Sequence, residues 1–291
     1  MDLPSPLAPE NLPGNLSERH PRGGRVPVIF TSPHSGRDYS AAFIAQARLD
    51  PQSLRRSEDS FVDELFAAAP ECGAVLLAAR FPRAFCDVNR ERWELDPAMF
   101  EGALPAFVNR ASPRVEAGLG TIPRIVASGA PIYRQRLPFA EAEMRIATCW
   151  APFHDRLAAL IAQVKADFGA CLLVDCHSMP HASLLGLGRV DIALGDAHGT
   201  TCAGAVTARI ETAFQGLGFV VRRNIPYAGG FITRHYGRPQ DGVHAVQIEL
   251  ARRLYMDEAS ITPSAGFPRL QQAITRLIAL LAAEAPRLLA I

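Results

Sequence analysis

The feature that most restricts the fold is the run Cys171-Leu172-Leu173-Val174-Asp175-Cys176, placed directly after a long helical pattern and directly before His177. A short, nearly continuous apolar run suits a strand buried on both faces, and such a strand needs a covering layer on each side. Similar runs recur at Val26–Thr31, Ala74–Ala79, Val190–Leu194 and Phe219–Val221. In Val243–Leu250 the residues alternate instead, with Val246, Ile248 and Leu250 on one face and Ala245, Gln247 and Glu249 on the other. Helical patterns lie between them. Residues 57–69 read as a helix capped by Ser57, Glu141–Phe168 as a long one bent or restarted at Pro152, Thr200 or Thr201 to Gly216 as another, and Arg269–Leu289 as the closing helix. Strands alternating with helices predict an α/β three-layer sandwich, a central mixed sheet with helices on both faces. Residues 1–25 read as an N-terminal arm and 26–291 as a single catalytic domain. Residues 97–138, rich in Pro and Gly and without a period, read as a functional loop layer.

Composition removes several classes of function. A formal charge of +1 with 20% charged residues argues against a nucleic-acid partner, which draws on a concentrated basic surface. No run approaches the ~20 apolar residues that span a bilayer, and the acidic, proline-rich start MDLPSPLAPE has no signal-peptide pattern. The expectation is a cytoplasmic protein without a membrane partner. Six cysteines without C-x-x-C spacing read as reduced thiols in a chain large enough not to need disulfides. The oligomeric state is open.

Ligands of parallel sheets gather at the carboxyl ends of the strands. His34 follows the first run, His177 the strongest one, and Glu249 lies near the end of the last. Two imidazoles and a carboxylate are a zinc-type donor set, and Glu58-Asp59 opens a predicted helix from which a carboxylate reaches the same edge. Asp175, two residues before His177, suits a carboxylate that orients an imidazole. Each histidine alone is equally consistent with a hydrogen-bonding loop residue. Glu249 suits a general base, or a solvated edge strand. Arg83, Asn89 and Arg90 suit carboxylate recognition and oxyanion stabilisation, or a salt-bridged turn leading into Glu91, Arg92 and Glu94. Asn224–Gly230, with Thr233 and Arg234 beyond, suits a loop covering substrate, or a plain turn.

Taken in order, Ser32-Pro33-His34-Ser35-Gly36, Asp87-Val88-Asn89-Arg90, Asp175-Cys176-His177-Ser178-Met179, and Asn224 to Gly230 followed by Gln247-Ile248-Glu249 resemble the N-formylglutamate amidohydrolase family, over about residues 26–255. The resemblance implies a zinc-carboxypeptidase-like (phosphorylase/hydrolase-like) fold, related also to aspartoacylase, and one Zn2+ ion. It implies hydrolysis of N-formyl-L-glutamate to formate and L-glutamate in histidine degradation. Under it His34 and His177 are metal ligands. His34-Ser35-Gly36-Arg37 lacks the glutamate of the carboxypeptidase H-x-x-E pattern; the resemblance implies Asp59, which occupies the acidic position the amidohydrolase family shows, as the carboxylate ligand, with Glu58 and Asp63 as alternatives. Glu249 is the implied general base and acid, Arg83 polarises the amide carbonyl, and Asn89 and Arg90 hold a carboxylate. The second carboxylate of such a small acylated amino acid falls to Arg134, Arg223 or Arg234, with Tyr133 and Thr233 as further donors. A related amidohydrolase acting on another acyl amino acid or a short peptide, and a non-catalytic metal-binding module, are the competing readings.

Overall fold

Seven strands make one mixed sheet in the computed structural model, which describes residues 14–290. They are β1 (Leu16–Arg19), β2 (Val28–Ser32), β3 (Val75–Ala79), β4 (Cys171–Met179), β5 (Ile192–Gly195), β6 (Val221–Arg223) and β7 (Val243–Ala251). Their spatial order is β1-β3-β2-β4-β7-β5-β6. The inner four, β3, β2, β4 and β7, are mutually parallel, while β1 pairs antiparallel with β3 and β5 antiparallel with β7. From β2 the chain passes to β3 on one side and later to β4 on the other. That reversal opens a crevice at the carboxyl ends of β2 and β4.

Helices cover both faces, as the alternating pattern requires. Phe30, Val174 and Ile248 pack on one side with Val206, Ile210 and Phe214 of the helix Gly204–Gly216 and with Ile274, Leu277 and Leu281 of the helix Phe267–Leu288. Ile29, Leu77, Leu173 and Ala245 pack on the other with Phe153, Leu157 and Leu160 of the helix Ala151–Phe168. Each such Leu or Phe, fully buried, contributes about 1.5–3 kcal/mol. On this second face the inner strands change character along their length. Cys171 and Leu173 give way to Asp175 and His177 on β4, and Ala245 gives way to Gln247 and Glu249 on β7. Strand alternation puts these polar residues on the face whose first half anchors the core.

Several elements differ from the sequence expectation. Residues 1–13 of the expected arm lie outside the described residues, and Leu16–Arg19 is an edge strand anchored by buried Leu16. The helix expected over 57–69 shrinks to Val62–Leu65, because Phe61 takes a left-handed φ of 67° and breaks the turn before it. Ser57 caps nothing there; its Oγ accepts from the Ala127 N–H. His177 lies within β4 and not beyond it. The Glu141–Phe168 pattern resolves into a helix Phe139–Arg145, a π turn Ile146–Trp150 and the helix Ala151–Phe168. Pro152 sits in the first turn of the last piece, where its missing N–H is not needed. Thr200 and Thr201 bond the carbonyls of Ala197 and Ala245, and the following helix starts at Gly204 without a side-chain cap. Residues 97–138 hold a short 3-10 turn and the helix Pro113–Glu116, and pack onto the second face through Met99, Phe100, Val108 and Ile122. All six cysteines are free thiols, and none of the described helices is long and apolar enough to cross a membrane.

Candidate active site

Three segments far apart in sequence meet at the carboxyl edge of the inner strands. His34 leaves β2 in a turn held by the Ser32 Oγ–Ser35 Oγ bond (2.9 Å). Gly36 closes that turn against the backbone of the Arg83 loop, where an added Cβ would stand 2.1 Å from the Phe81 carbonyl oxygen. The Asp59 N–H donates to the His34 carbonyl (2.9 Å), which locks the second turn onto the first. His177 arrives on β4, with Glu249 beside it at the same register on β7.

Each imidazole is fixed from behind by a carboxylate. His34 Nε2 donates to Asp87 Oδ1 (2.7 Å), and His177 Nε2 lies 2.8 Å from Asp175 Oδ2. Thr31 Oγ1 in turn donates to Asp175 (2.8 Å). With their outer nitrogens engaged, both rings present Nδ1 to the same point. Asp59 Oδ2 lies 3.1 Å from His177 Nδ1 and 3.4 Å from His34 Nδ1. The other Asp59 oxygen is taken by Ser178 Oγ (2.9 Å) and Arg252 Nη2 (3.3 Å). One ligand atom from each of His34, Asp59 and His177 falls within 4.8 Å of the others, and all three residues are buried. His34 Nδ1 has no hydrogen-bond partner among the described residues. Three convergent lone-pair donors, one of them orphaned, fit a divalent metal held by two nitrogens and an oxygen with a position left open. Glu58 is committed elsewhere, to Arg55 (3.0 Å) and Ser60 Oγ (2.7 Å), and Asp63 pairs with Arg37 (3.4 Å).

Electrostatics follow from burial and these partners. Burial pushes the Asp59 carboxyl up, but bonding and charge from His177 and His34 outweigh it and hold the group well below the usual range. Burial opposes charge on His177, yet the adjacent Asp175 carries its pKa well above the ordinary value. Glu249 goes the other way: burial lifts it to about 7 despite the opposing charge of His177. Its Oε1 accepts from Gln247 Nε2 (2.6 Å), Gln247 Oε1 accepts from the Gly230 N–H (2.7 Å), and Glu249 Oε2 is buried without a partner among the described residues. Burial opposes charge on Arg83, but Asp87, 2.7 Å away, together with Asp59 and Glu249 outweighs it and raises its pKa.

These groups line one cavity of about 660 Å³, a size suited to a small molecule. His34, Asp59, His177, Arg83, Asn89, Arg90, Arg234 and Glu249 are all on its wall. Asn89 is nonetheless turned to the protein: Nδ2 lies 3.2 Å from His177 Nε2 and 3.4 Å from Asp175, and Oδ1 accepts from the Ile232 N–H (2.8 Å). It positions His177 more than it reaches the cavity. Tyr133, Arg134 and Thr233 are not on the wall. The Tyr133 hydroxyl accepts from Arg145 (2.6 Å), Arg134 is exposed, and Thr233 is fully buried under Gly229. Arg223 is an exposed partner of Glu211. Asp87, Arg114, Ser178, Gln247 and Arg252 carry parts of the wall to which sequence reasoning gave no role. Asp87, Ser178 and Gln247 lie inside motifs the sequence displays, whereas Arg114 and Arg252 had no signal to follow.

Convergent metal donors, a neighbouring carboxylate poised near neutrality and arginines in one cavity at the strand ends make this α/β sandwich a hydrolase in constitution. Residues 26–256 match the family model of N-formylglutamate amidohydrolase, and the chain belongs to that family. It is 37% identical over 242 residues to an N-formylglutamate deformylase of Pseudomonas aeruginosa, covering 81% of this chain and 84% of the relative. It is 30% identical over 244 residues to one of Pseudomonas putida, with the same coverage of 81% and 84%. The crystal structure of N-formylglutamate amidohydrolase from Ralstonia eutropha JMP134 superposes with a TM-score of 0.89 at 35% identity, over 94% of this chain and 99% of that one. The chain is an amidohydrolase.

Proposed function

We propose that the chain hydrolyses N-formyl-L-glutamate to formate and L-glutamate, using one zinc ion held by His34, Asp59 and His177. The observation that carries this reading is the placement of Glu249: a buried carboxylate with one oxygen unpartnered, register-paired with a histidine of the donor cluster and sharing its cavity. Bound there, zinc supplies Lewis acidity, which makes water a competent nucleophile near neutral pH and polarises a carbonyl. The chain's own groups do the rest. Glu249 Oε2 takes the proton of the attacking water while Gln247 holds Oε1 in place, and the same carboxyl returns that proton to the departing amine. The C–N bond breaks, the water oxygen leaves in formate, and the nitrogen leaves as the amine of glutamate. Arg83, kept charged by Asp87, offers N–H groups to the oxygen that gains charge as the formyl carbon becomes tetrahedral. Arg90 and Arg234 supply donors for substrate carboxylates.

The relatives' named activity and the arginine-rich wall support a formylated dicarboxylate over a neutral substrate. The same proposal puts the step in histidine degradation in the cytoplasm, as the family resemblance implies, with a small molecule as the partner and no role for nucleic acid or membrane. Formate release from N-formylglutamate, measured against a panel of N-formyl and N-acetyl amino acids, tests the substrate; absence of preference refutes it. Glu249→Gln is expected to lower kcat roughly 10²–10⁴-fold with zinc content preserved. Full activity of that variant, or of the wild type after rigorous chelation, would overturn the mechanism.

A further inference from the structure

Arg114 is the cation on the cavity wall that the described residues leave unanswered. Of the other arginines there, Arg252 spends Nε on Ser178 Oγ (3.1 Å) and its Nη groups on the carbonyls of Arg56 (3.2 Å) and Glu58 (2.6 Å). Arg83 is paired with Asp87, and Arg90 bonds the carbonyls of Leu119 (2.8 Å) and Asn89 (2.8 Å). Arg234 bonds the Gly229 carbonyl (3.2 Å). Arg114, half-buried in the helix Pro113–Glu116, has neither a side-chain hydrogen bond nor an ion pair among the described residues. It also stands next to another cation. The Leu119 N–H donates to the Arg114 carbonyl (2.7 Å) and the Leu119 carbonyl accepts from Arg90, so one turn ties the two arginines together. Like charges on one partly buried wall repel, and an anion that fills the uncommitted fork of Arg114 removes that repulsion.

We propose that Arg114 is a specificity-determining residue that binds the side-chain carboxylate of the substrate; this rests on the proposed reading of the site as acting on a formylated acidic amino acid. The choice between the two substrate carboxylates follows from the order of groups along the wall. His34 contacts Asp87, Asp87 contacts Arg83 at 2.7 Å and Arg90 at 3.7 Å, and Arg90 leads on to Arg114. Burial opposes the charge of Arg83, and Asp87, Asp59 and Glu249 are near enough to stabilise it. Arg114 makes itself felt on Arg90, which burial, with Arg114 helping, holds down at about 10. The scissile amide must lie beside Glu249 and the donor cluster. The α-carboxylate, on the carbon next to the amide nitrogen, stays near that end. The side-chain carboxylate extends away from it, toward the part of the wall that Leu119 ties from Arg90 to Arg114.

The test compares three substrates: N-formylglutamate, N-formylglutamine, in which the side-chain carboxylate becomes an amide, and the α-amide of N-formylglutamate. Turnover of N-formylglutamate by the wild type tests the substrate assignment by itself. Given that turnover, Arg114→Met is expected to raise KM roughly 10- to 100-fold for N-formylglutamate and for the α-amide, with kcat little changed. For N-formylglutamine, expected to be a poor substrate of the wild type, the same substitution shifts KM by less than about 3-fold, because the carboxylate it would hold is absent. Arg114→Lys keeps the charge and stem but loses the fork, and gives the same pattern in smaller measure. Equal weakening of all three substrates in both variants, or an insensitivity confined to the α-amide, overturns the assignment.

Discussion

At the scale of single residues, Asp87 organises the centre. It accepts from His34 Nε2 (2.7 Å), Arg83 Nη2 (2.7 Å) and the Asn89 N–H (2.9 Å), so one carboxylate aims an imidazole and anchors an arginine. Burial would lift its pKa, but Arg83, Arg90 and His34 outweigh burial and hold it well below the usual range. Asp87→Asn keeps the volume and removes the charge. It is expected to weaken metal affinity roughly 10–100-fold, read by competition with a chromophoric chelator, and unchanged affinity would show that the ring is fixed by other means. His34 and His177 could be found from sequence because each sits where an apolar strand gives way to polar residues. Asp59 could not be separated from Glu58 and Asp63 on pattern, since its direction is set by a bond to the His34 carbonyl and a left-handed Phe61. Arg114 lies in a stretch without a period, and Asp87, followed by Glu91, Arg92 and Glu94, reads as an ordinary charged turn.

At the scale of elements, the helix Ala151–Phe168 does more than cover the sheet. Through the π turn before it, Trp150 Nε1 donates to the Arg90 carbonyl (3.0 Å), and one turn later His154 Nε2 donates to the Val88 carbonyl (2.8 Å). The helix thereby holds the backbone of Asp87–Arg90 from outside the cavity. A π turn inserts a residue and rotates the next helical segment about its axis, which is why a single 3.6-residue pattern over Glu141–Phe168 predicted one helix where there are three pieces. His154 accepts on Nδ1 from the Tyr236 hydroxyl (2.9 Å), and burial pushes it down to about 4 from 6.5. A histidine folded in its neutral form binds fewer protons than it does unfolded. Its contribution is therefore whole above pH 6.5 and is lost as pH falls toward 4. Urea unfolding at pH 7 and pH 4.5 is expected to show the wild type losing more stability than His154→Gln, by a difference approaching the order of 3 kcal/mol. Parallel losses in the two proteins would place the acid sensitivity elsewhere.

At the scale of the whole molecule, the three-layer sandwich was legible because its central strands are buried on both faces and read as apolar runs. The strand order and the antiparallel entry of β5 beside β7 were not, since neither direction nor neighbour is written in a run of apolar residues. The site inherits this. His34, Asp59, His177 and Glu249 come from segments that become neighbours only when β2, β4 and β7 have paired. A chain in which β2 and β4 have not paired offers isolated imidazoles and a carboxylate to passing ions, and not the converged set of His34, Asp59 and His177. If the chain binds the proposed ion, capture requires the folded sheet, and the ion content of a preparation is expected to follow its folded fraction. Titrated through urea, zinc release is expected to coincide with loss of the near-ultraviolet signal of the two tryptophans; release well ahead of it would mean that the cage opens while the rest of the protein stands.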